Sequence, residues 1–124
     1  YDLPAAMSVR LANIDAPEIA HPALHIAEQP GGRESKAALT ALCLNQPATV
    51  YPGATDRYRR TLAIVECNGV NVNIEQVRTG QAWAYMARKT SVFPKLEAQA
   101  RADGVGLWAQ TNPVKPSVWR KIRR

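Results

Sequence analysis

Apolar and polar residues alternate roughly from Met7 to Ile14 (Met-Ser-Val-Arg-Leu-Ala-Asn-Ile), the period-two pattern of a half-buried strand. Pro17 cannot donate to a strand ladder and is expected to end it. Pro22, Pro30 and Gly31-Gly32 mark residues 19–33 as a loop. From Glu34 to Asn45 the apolar positions Ala37, Ala38, Leu39, Ala41, Leu42 and Cys43 predict a helix, with Pro47 just beyond its end. Residues 48–51 and 61–67 predict two strands, the second rich in β-formers (Thr61-Leu-Ala-Ile-Val65). Cys67-Asn68-Gly69-Val70 predicts a hairpin, because Asn-Gly accepts the positive φ angles of a two-residue turn. Val70–Val72 would be a short return strand. Asn73 is expected to cap a second helix, with Gln76 at the capping-box position. That helix should run to Thr79 and end at Gly80. A third helix is predicted from about Pro94 to Ala102, with Pro94 in its first turn and Asp103-Gly104 as its stop.

Short strands with three helices describe a small α+β domain. A chain of 124 residues, 46% of them apolar, is long enough for one domain with a real core. No apolar run approaches the roughly 18 residues of a membrane span. The chain opens at Tyr1 rather than Met and shows no leader, so a processed or truncated form is expected.

The charge changes this picture at one end. The net charge is +6, yet the stretch Lys115–Arg124 holds five of the 16 basic residues and none of the 10 acidic ones. The rest of the chain is nearly neutral. The expected organisation is a domain over residues 1–110 and a basic tail over 111–124. Such a tail suits a polyanion partner, and equally a solvated terminus. The two cysteines, Cys43 and Cys67, have neither the spacing nor the histidines of a zinc site. They lie in apolar stretches and read either as buried thiols or as one helix-to-strand disulfide, which would suit a secreted or periplasmic setting.

The chemistry lies in two segments. Arg10-Leu-Ala-Asn-Ile-Asp15-Ala-Pro-Glu18 offers one guanidinium and two carboxylates, and Asp56-Arg57-Tyr58-Arg59-Arg60 a dense basic cluster. Arginines grip a phosphodiester bidentately; one carboxylate can hold a cation and another can deprotonate water. Taken singly, each residue also has an ordinary reading. Glu18 is a solvated loop acid, Asp15 a strand-end turn residue, and the arginines are surface charges. Arg10 and Asp15 are five residues apart, which puts them on opposite faces of a regular strand. They can share a site only if the strand bends, and Pro17 is the expected cause.

These segments resemble the staphylococcal (micrococcal) nuclease family. Its members carry Arg-x-x-x-x-Asp-x-Pro-Glu, matched by Arg10, Asp15, Pro17 and Glu18, and later Asp-x-Tyr-Gly-Arg, matched by Asp56, Tyr58 and Arg60. Val72-Asn73 with Gly80-Gln-Ala-Trp83-Ala-Tyr85, and Glu97-Ala-Gln-Ala with Gly106-Leu-Trp108, are similar too, so the likeness runs from about Arg10 to Trp108. The resemblance implies an OB-type β-barrel, five-stranded in the family, with three α-helices. The family's first two strands and the Asp-Gly-Asp-Thr turn between them would precede Tyr1. The barrel is therefore expected to be incomplete, with an open edge. Another chain could cover that edge, or residues 1–6 and the tail; the reading adopted is a fragment.

The resemblance also implies roles. Glu18 is the general base, and Arg10 and Arg60 are the phosphate clamps. Asp15 with the backbone carbonyl of Ala16 would ligate Ca²⁺. The ligand set is incomplete, because a second aspartate is missing and Asp2 replaces it only by an unusual path. Arg57 and Tyr58 would hold a nucleotide's terminal phosphate, and Tyr85 would stack on a base, as would Trp83 were it not expected in the core. Arg59 stands where the family has Gly, which bears on the pose of Arg60. His21 and His25 read as loop residues, Glu97 and Trp108 as structural. The implied activity is metal-assisted endonucleolytic hydrolysis of DNA, with RNA a second substrate class. It would leave 3′-phosphate and 5′-hydroxyl ends with low sequence specificity. Two alternatives stand beside it: a nucleic-acid-binding module without catalysis, and a protein-interaction domain using the open barrel edge.

Overall fold

The structure, a computed structural model, describes residues 7–122. Residues 1–6, including Asp2, and the last two arginines lie outside the described residues.

The predicted first strand is two strands. β1 (Val9–Leu11) runs parallel to β4 (Thr61–Cys67), with Arg10 opposite Leu62. The chain then turns at Asn13, whose φ of 66° is left-handed, and β2 (Ile14–Asp15) pairs instead with β6 (Trp83–Ala84). The break that Pro17 was expected to supply comes earlier, at Asn13. Asparagine tolerates this conformation better than most residues do. Helix α1 (Gly32–Cys43) follows the predicted loop, which contains a 3₁₀ turn at Pro22–Leu24. β3 (Ala48–Thr55) pairs antiparallel with β4, with an irregularity between Pro52 and Thr55. The Asn68-Gly69 turn, with both φ angles positive, leads into β5 (Val70–Asn71), which returns against β4.

Helix α2 (Val72–Arg78) is capped by Asn71, not by the expected Asn73. The Asn71 side chain accepts the Ile74 N–H at 3.0 Å. Asn73 is drawn inside, fully buried, to serve β4. β3 takes one edge of β4 along its length. On the other edge, β1 ends and leaves Val65 without a strand partner. Asn73 fills that gap: its Oδ1 accepts from Val65 N–H at 3.1 Å, and its Nδ2 donates to Ala63 and Ala12 carbonyls at 3.0 Å each. Gln76, likewise expected to cap, is buried and donates to the Ser35 carbonyl on α1 at 3.1 Å.

Helix α3 (Val92–Asp103) ends at Gly104 as predicted, and a 3₁₀ turn spans Gly106–Ala109. The expectation of three helices falls short by one. Pro116–Ile122, within the stretch read as a tail, forms α4. Among the described residues the strands form a four-stranded sheet, β1-β4-β3 with β5 also on β4, and a two-stranded sheet, β2-β6, and no closed five-stranded barrel. Two apolar clusters hold it together. Ile14, Val77, Ala82 and Phe93 pack where α2 and α3 meet β2; Ala63, Val65, Cys67 and Val72 pack along β4. Cys43 and Cys67 form a disulfide from the end of α1 to the end of β4. No helix among the described residues is long and apolar enough to cross a membrane.

Candidate active site

Arg10, Asp15, Ala16, Glu18 and Arg60 line one cleft of about 370 Å³, between the β1–β2 bend and the first turns of α1. The bend at Asn13 makes this possible. It brings Arg10 Nη2 to 3.4 Å from Asp15 Oδ1, although a straight strand would point the two apart. Asn13 is itself fixed from outside: its carbonyl accepts the Tyr85 N–H at 2.9 Å, and its side-chain amide donates to the Met86 carbonyl at 3.3 Å. Arg10 in turn lies 5.2 Å from the centroid of the Tyr85 ring. That contact helps to hold the guanidinium in place.

Glu18 is positioned by two residues of the predicted loop, Gln29 and Gly32. Gln29, buried in the loop, accepts the Glu18 N–H on Oε1 at 3.0 Å, and its own N–H donates to the Glu18 carbonyl at 2.9 Å. Gly32 lets α1 approach: a β-carbon there would lie 2.2 Å from the Glu18 carbonyl oxygen. The glycine pair read as loop punctuation thus sets where the acid sits.

Arg60 reaches the same cleft from the loop after β3. Asp56 shapes that loop, accepting the Tyr58 and Arg60 backbone N–H groups at 2.8 and 2.9 Å and Arg60 Nε at 2.9 Å. Partial desolvation works against ionisation of Asp56, but the two backbone donors and Arg60 outweigh it and hold its carboxyl below the usual range. Arg59, where the resemblance leads one to expect Gly, has φ 63°, a left-handed conformation that costs a non-glycine residue strain. Arg57 and Tyr58 sit at the loop tip, outside the cleft lining. Tyr58 is 68% exposed, with Arg57 and Arg60 at 5.4 and 5.5 Å from its ring centroid.

A further cation enters from α4. Arg120 donates Nη1 to Glu18 Oε1, and its Nη2 lies 3.6 Å from Asp15 Oδ2. His21 Nε2 stands 3.8 Å from the other Glu18 oxygen. Burial pushes the Asp15 carboxyl above its ordinary value; Arg120 and Arg10 pull it back without cancelling the effect, and Glu18 adds to it. Burial alone would lower Arg120, but its bond to Glu18 and the charge of Asp15 raise it. The only sequence signal for Arg120 was the acid-free basic stretch from Lys115.

The acids present do not assemble a divalent-cation site in this arrangement. Among the described residues no three His, Cys, Asp or Glu side chains converge, and both Asp15 oxygens face guanidinium groups. The remaining residues behave as structural. Trp83 is buried edge-on against Trp108 at 4.6 Å, Arg101 caps both rings, and Glu97 accepts the Ala84 N–H at 2.8 Å.

Residues 8–110 match the family model described as staphylococcal nuclease homologue. An uncharacterized endonuclease of Haemophilus influenzae is 38% identical over 117 residues, covering 94% of this chain and 61% of that protein. An uncharacterized endonuclease of Escherichia coli is 39% identical over 117 residues, covering 93% of this chain and 71% of that protein. A staphylococcal-like nuclease of Arabidopsis thaliana is 36% identical over 117 residues, covering 94% of this chain and 34% of that protein. The chain thus spans less than two thirds of the length of the Haemophilus and Arabidopsis relatives.

Proposed function

The chain belongs to the staphylococcal nuclease homologue family, and from that premise we propose that it is an endonuclease hydrolysing phosphodiester bonds of DNA, and of RNA as a second class, with little sequence preference. One observation carries the reading: two guanidinium groups and two carboxylates, from segments about forty residues apart, line a single cleft.

The residues divide the work by charge. Arg10 and Arg60 fork onto the non-bridging phosphoryl oxygens and offset the charge that builds in the transition state. Both are held before substrate arrives, Arg10 by Asp15 and the Tyr85 ring, Arg60 by Asp56. Preorganisation of this kind lowers the reorganisation cost at the moment of reaction. Glu18 orients a water for in-line attack on phosphorus and takes its proton. The P–O bond to the 5′ oxygen breaks, leaving 3′-phosphate and 5′-hydroxyl ends. Arg57 and Tyr58 at the exposed loop tip suit backbone contact beyond the cleft, which carries no sequence information. The Ca²⁺ expected from the family would find Asp15 and the Ala16 carbonyl on the cleft wall. The residues as arranged do not complete its coordination, so no step above is routed through it.

A second reading, a binding module without catalysis, draws on one observation: Glu18 is held by Arg120. Glu18→Gln separates the two. As an enzyme, the variant loses at least about a hundredfold in plasmid cleavage while retaining salt-sensitive DNA binding. Unchanged cleavage would remove Glu18 from the mechanism, and no cleavage by the parent protein with Ca²⁺ would favour the binding module.

A further inference from the structure

One guanidinium bridges the two acids of the cleft. Arg120 donates one arm to Glu18 Oε1 and sets the other 3.6 Å from Asp15 Oδ2, while Arg10 takes the remaining Asp15 oxygen at 3.4 Å. This competes with the work assigned to the acids. A carboxylate oxygen engaged by a guanidinium is a weaker base and is not open to water. Arginine itself never gives up its proton, so it cannot stand in as an acid. A hard cation needs those same oxygens.

The element carrying Arg120 is built to let go. Among the described residues helix α4 covers Pro116–Ile122. It docks on the loop that follows Glu18. The Trp119 indole N–H donates to the Ala27 carbonyl at 2.8 Å, Pro116 is buried, and the Gln29 side-chain amide donates to the Val114 carbonyl. Gln29 is also the residue that fixes the Glu18 backbone, so the docked helix and the acid share a support. Elements with few buried side chains open at low free-energy cost, and of residues 116–121 only Pro116 is buried.

We propose that α4 is an autoinhibitory latch: Arg120 closes the cleft on Asp15 and Glu18, and a divalent cation and the docked helix exclude each other. The proposal rests on the reading of Asp15 and Glu18 as the working acids. Release of α4 takes Arg120 off both carboxylates, leaving Asp15 paired with Arg10 alone, and turns a basic helix toward the incoming polyanion.

The test uses the full chain without nucleic acid, with Ca²⁺ followed by calorimetry and Tb³⁺ by luminescence. Arg120→Gln should bind Ca²⁺ on the order of tenfold more tightly than the parent, because a competing charge has been removed. Trp119→Phe keeps Arg120 but loses one docking bond, and should shift affinity the same way by less. In the parent protein, saturating Ca²⁺ should speed hydrogen exchange of the amides in 117–122. Binding by Arg120→Gln that is no tighter, or not measurable, overturns the latch, as does α4 exchange that Ca²⁺ leaves unchanged. Plasmid cleavage keeps the two readings apart. Faster cleavage by Arg120→Gln at limiting Ca²⁺, converging with the parent at saturation, supports the latch. Slower cleavage at saturation makes Arg120 part of the catalytic machinery and overturns it. A Ca²⁺ shift with no cleavage by any variant leaves the latch standing and removes the nuclease reading.

Discussion

Asn73 is where the fold and the cleft are most tightly coupled. Its side chain makes three hydrogen bonds in full burial: from Val65 N–H, to Ala63 carbonyl and to Ala12 carbonyl. In Asn73→Ala the Ala63 carbonyl keeps the Ala12 N–H as a partner at 2.9 Å. Val65 N–H and the Ala12 carbonyl lose theirs. Leaving a buried polar group unsatisfied costs about 1–3 kcal/mol, so the pair predicts a loss of about 3 kcal/mol. With an unfolding entropy of about 2 cal/mol/K per residue, that lowers the melting temperature by about 12 °C. Urea unfolding at fixed pH measures it, with the m-value unchanged. Asn73→Asp sharpens the test. The ionised form keeps the acceptor for Val65 but cannot donate to Ala12, and it buries a charge. The protonated form can donate. The folded-state pKa of this aspartate is therefore raised. The variant's stability should be greatest below the unfolded value of about 3.9 and fall as pH rises through the folded one. Because Ala12 immediately precedes the Asn13 bend, cleavage by either variant should also drop at temperatures where it remains folded. A loss below about 1 kcal/mol for the alanine variant, or a flat pH profile for the aspartate, would refute this account of the β4 edge.

Three shorter expectations follow from the same geometry. Replacing both cysteines by alanine reopens a loop of sequence separation 24. Loop-closure entropy puts the loss at about 3.5 kcal/mol, read as a fall in melting temperature matched by adding reductant to the parent; equal melts with and without reductant would refute it. Asp56 has a lowered folded-state pKa, so the order it gives its loop should be complete above the ordinary aspartate value of about 3.9 and lost as pH falls through the lower folded value. The Tyr58 and Arg60 amide shifts should titrate with a midpoint below that value, and a midpoint at or above it would contradict the two backbone hydrogen bonds. Arg59→Gly should be neutral or stabilising in thermal melts, because relief of left-handed strain of about 1 kcal/mol offsets the added freedom of glycine in the unfolded chain; a clear loss of stability would show that the Arg59 side chain contributes more than its backbone costs.

The sequence showed local matters well and distant ones poorly. The Asn68-Gly69 turn, the Gly80 and Gly104 stops and the strand at Thr61–Cys67 follow from chain-local chemistry, and each is found close to where it was read. Arg10, Asp15, Glu18 and Arg60 were picked out by a family likeness, and their meeting in one cleft depends on a bend that periodicity could not reveal. Asn71 and Asn73 differ by two positions and have the same side chain. Which one caps α2 is decided by an unpaired Val65 N–H on a strand that is remote until the chain folds. Gln29 and Gly32 lie in a stretch that composition marks only as loop, yet they fix the Glu18 backbone through contacts of tertiary origin.

The basic C-terminal stretch shows why charge counting underdetermines function. Read as sequence, an acid-free stretch with five basic residues is a polyanion contact or a solvated end. In the folded chain one of those charges is already spent on two internal anions. Arg120 cannot serve a phosphate and the acids at once, so nucleic-acid affinity and the closed cleft draw on the same guanidinium. Raising salt weakens phosphate contacts steeply, whereas a half-buried ion pair is screened much less. Salt should therefore favour the docked helix over the nucleic acid. The slope of DNA affinity against salt should then be less steep for Arg120→Gln than for the parent protein, since the variant has one fewer cation to hand over.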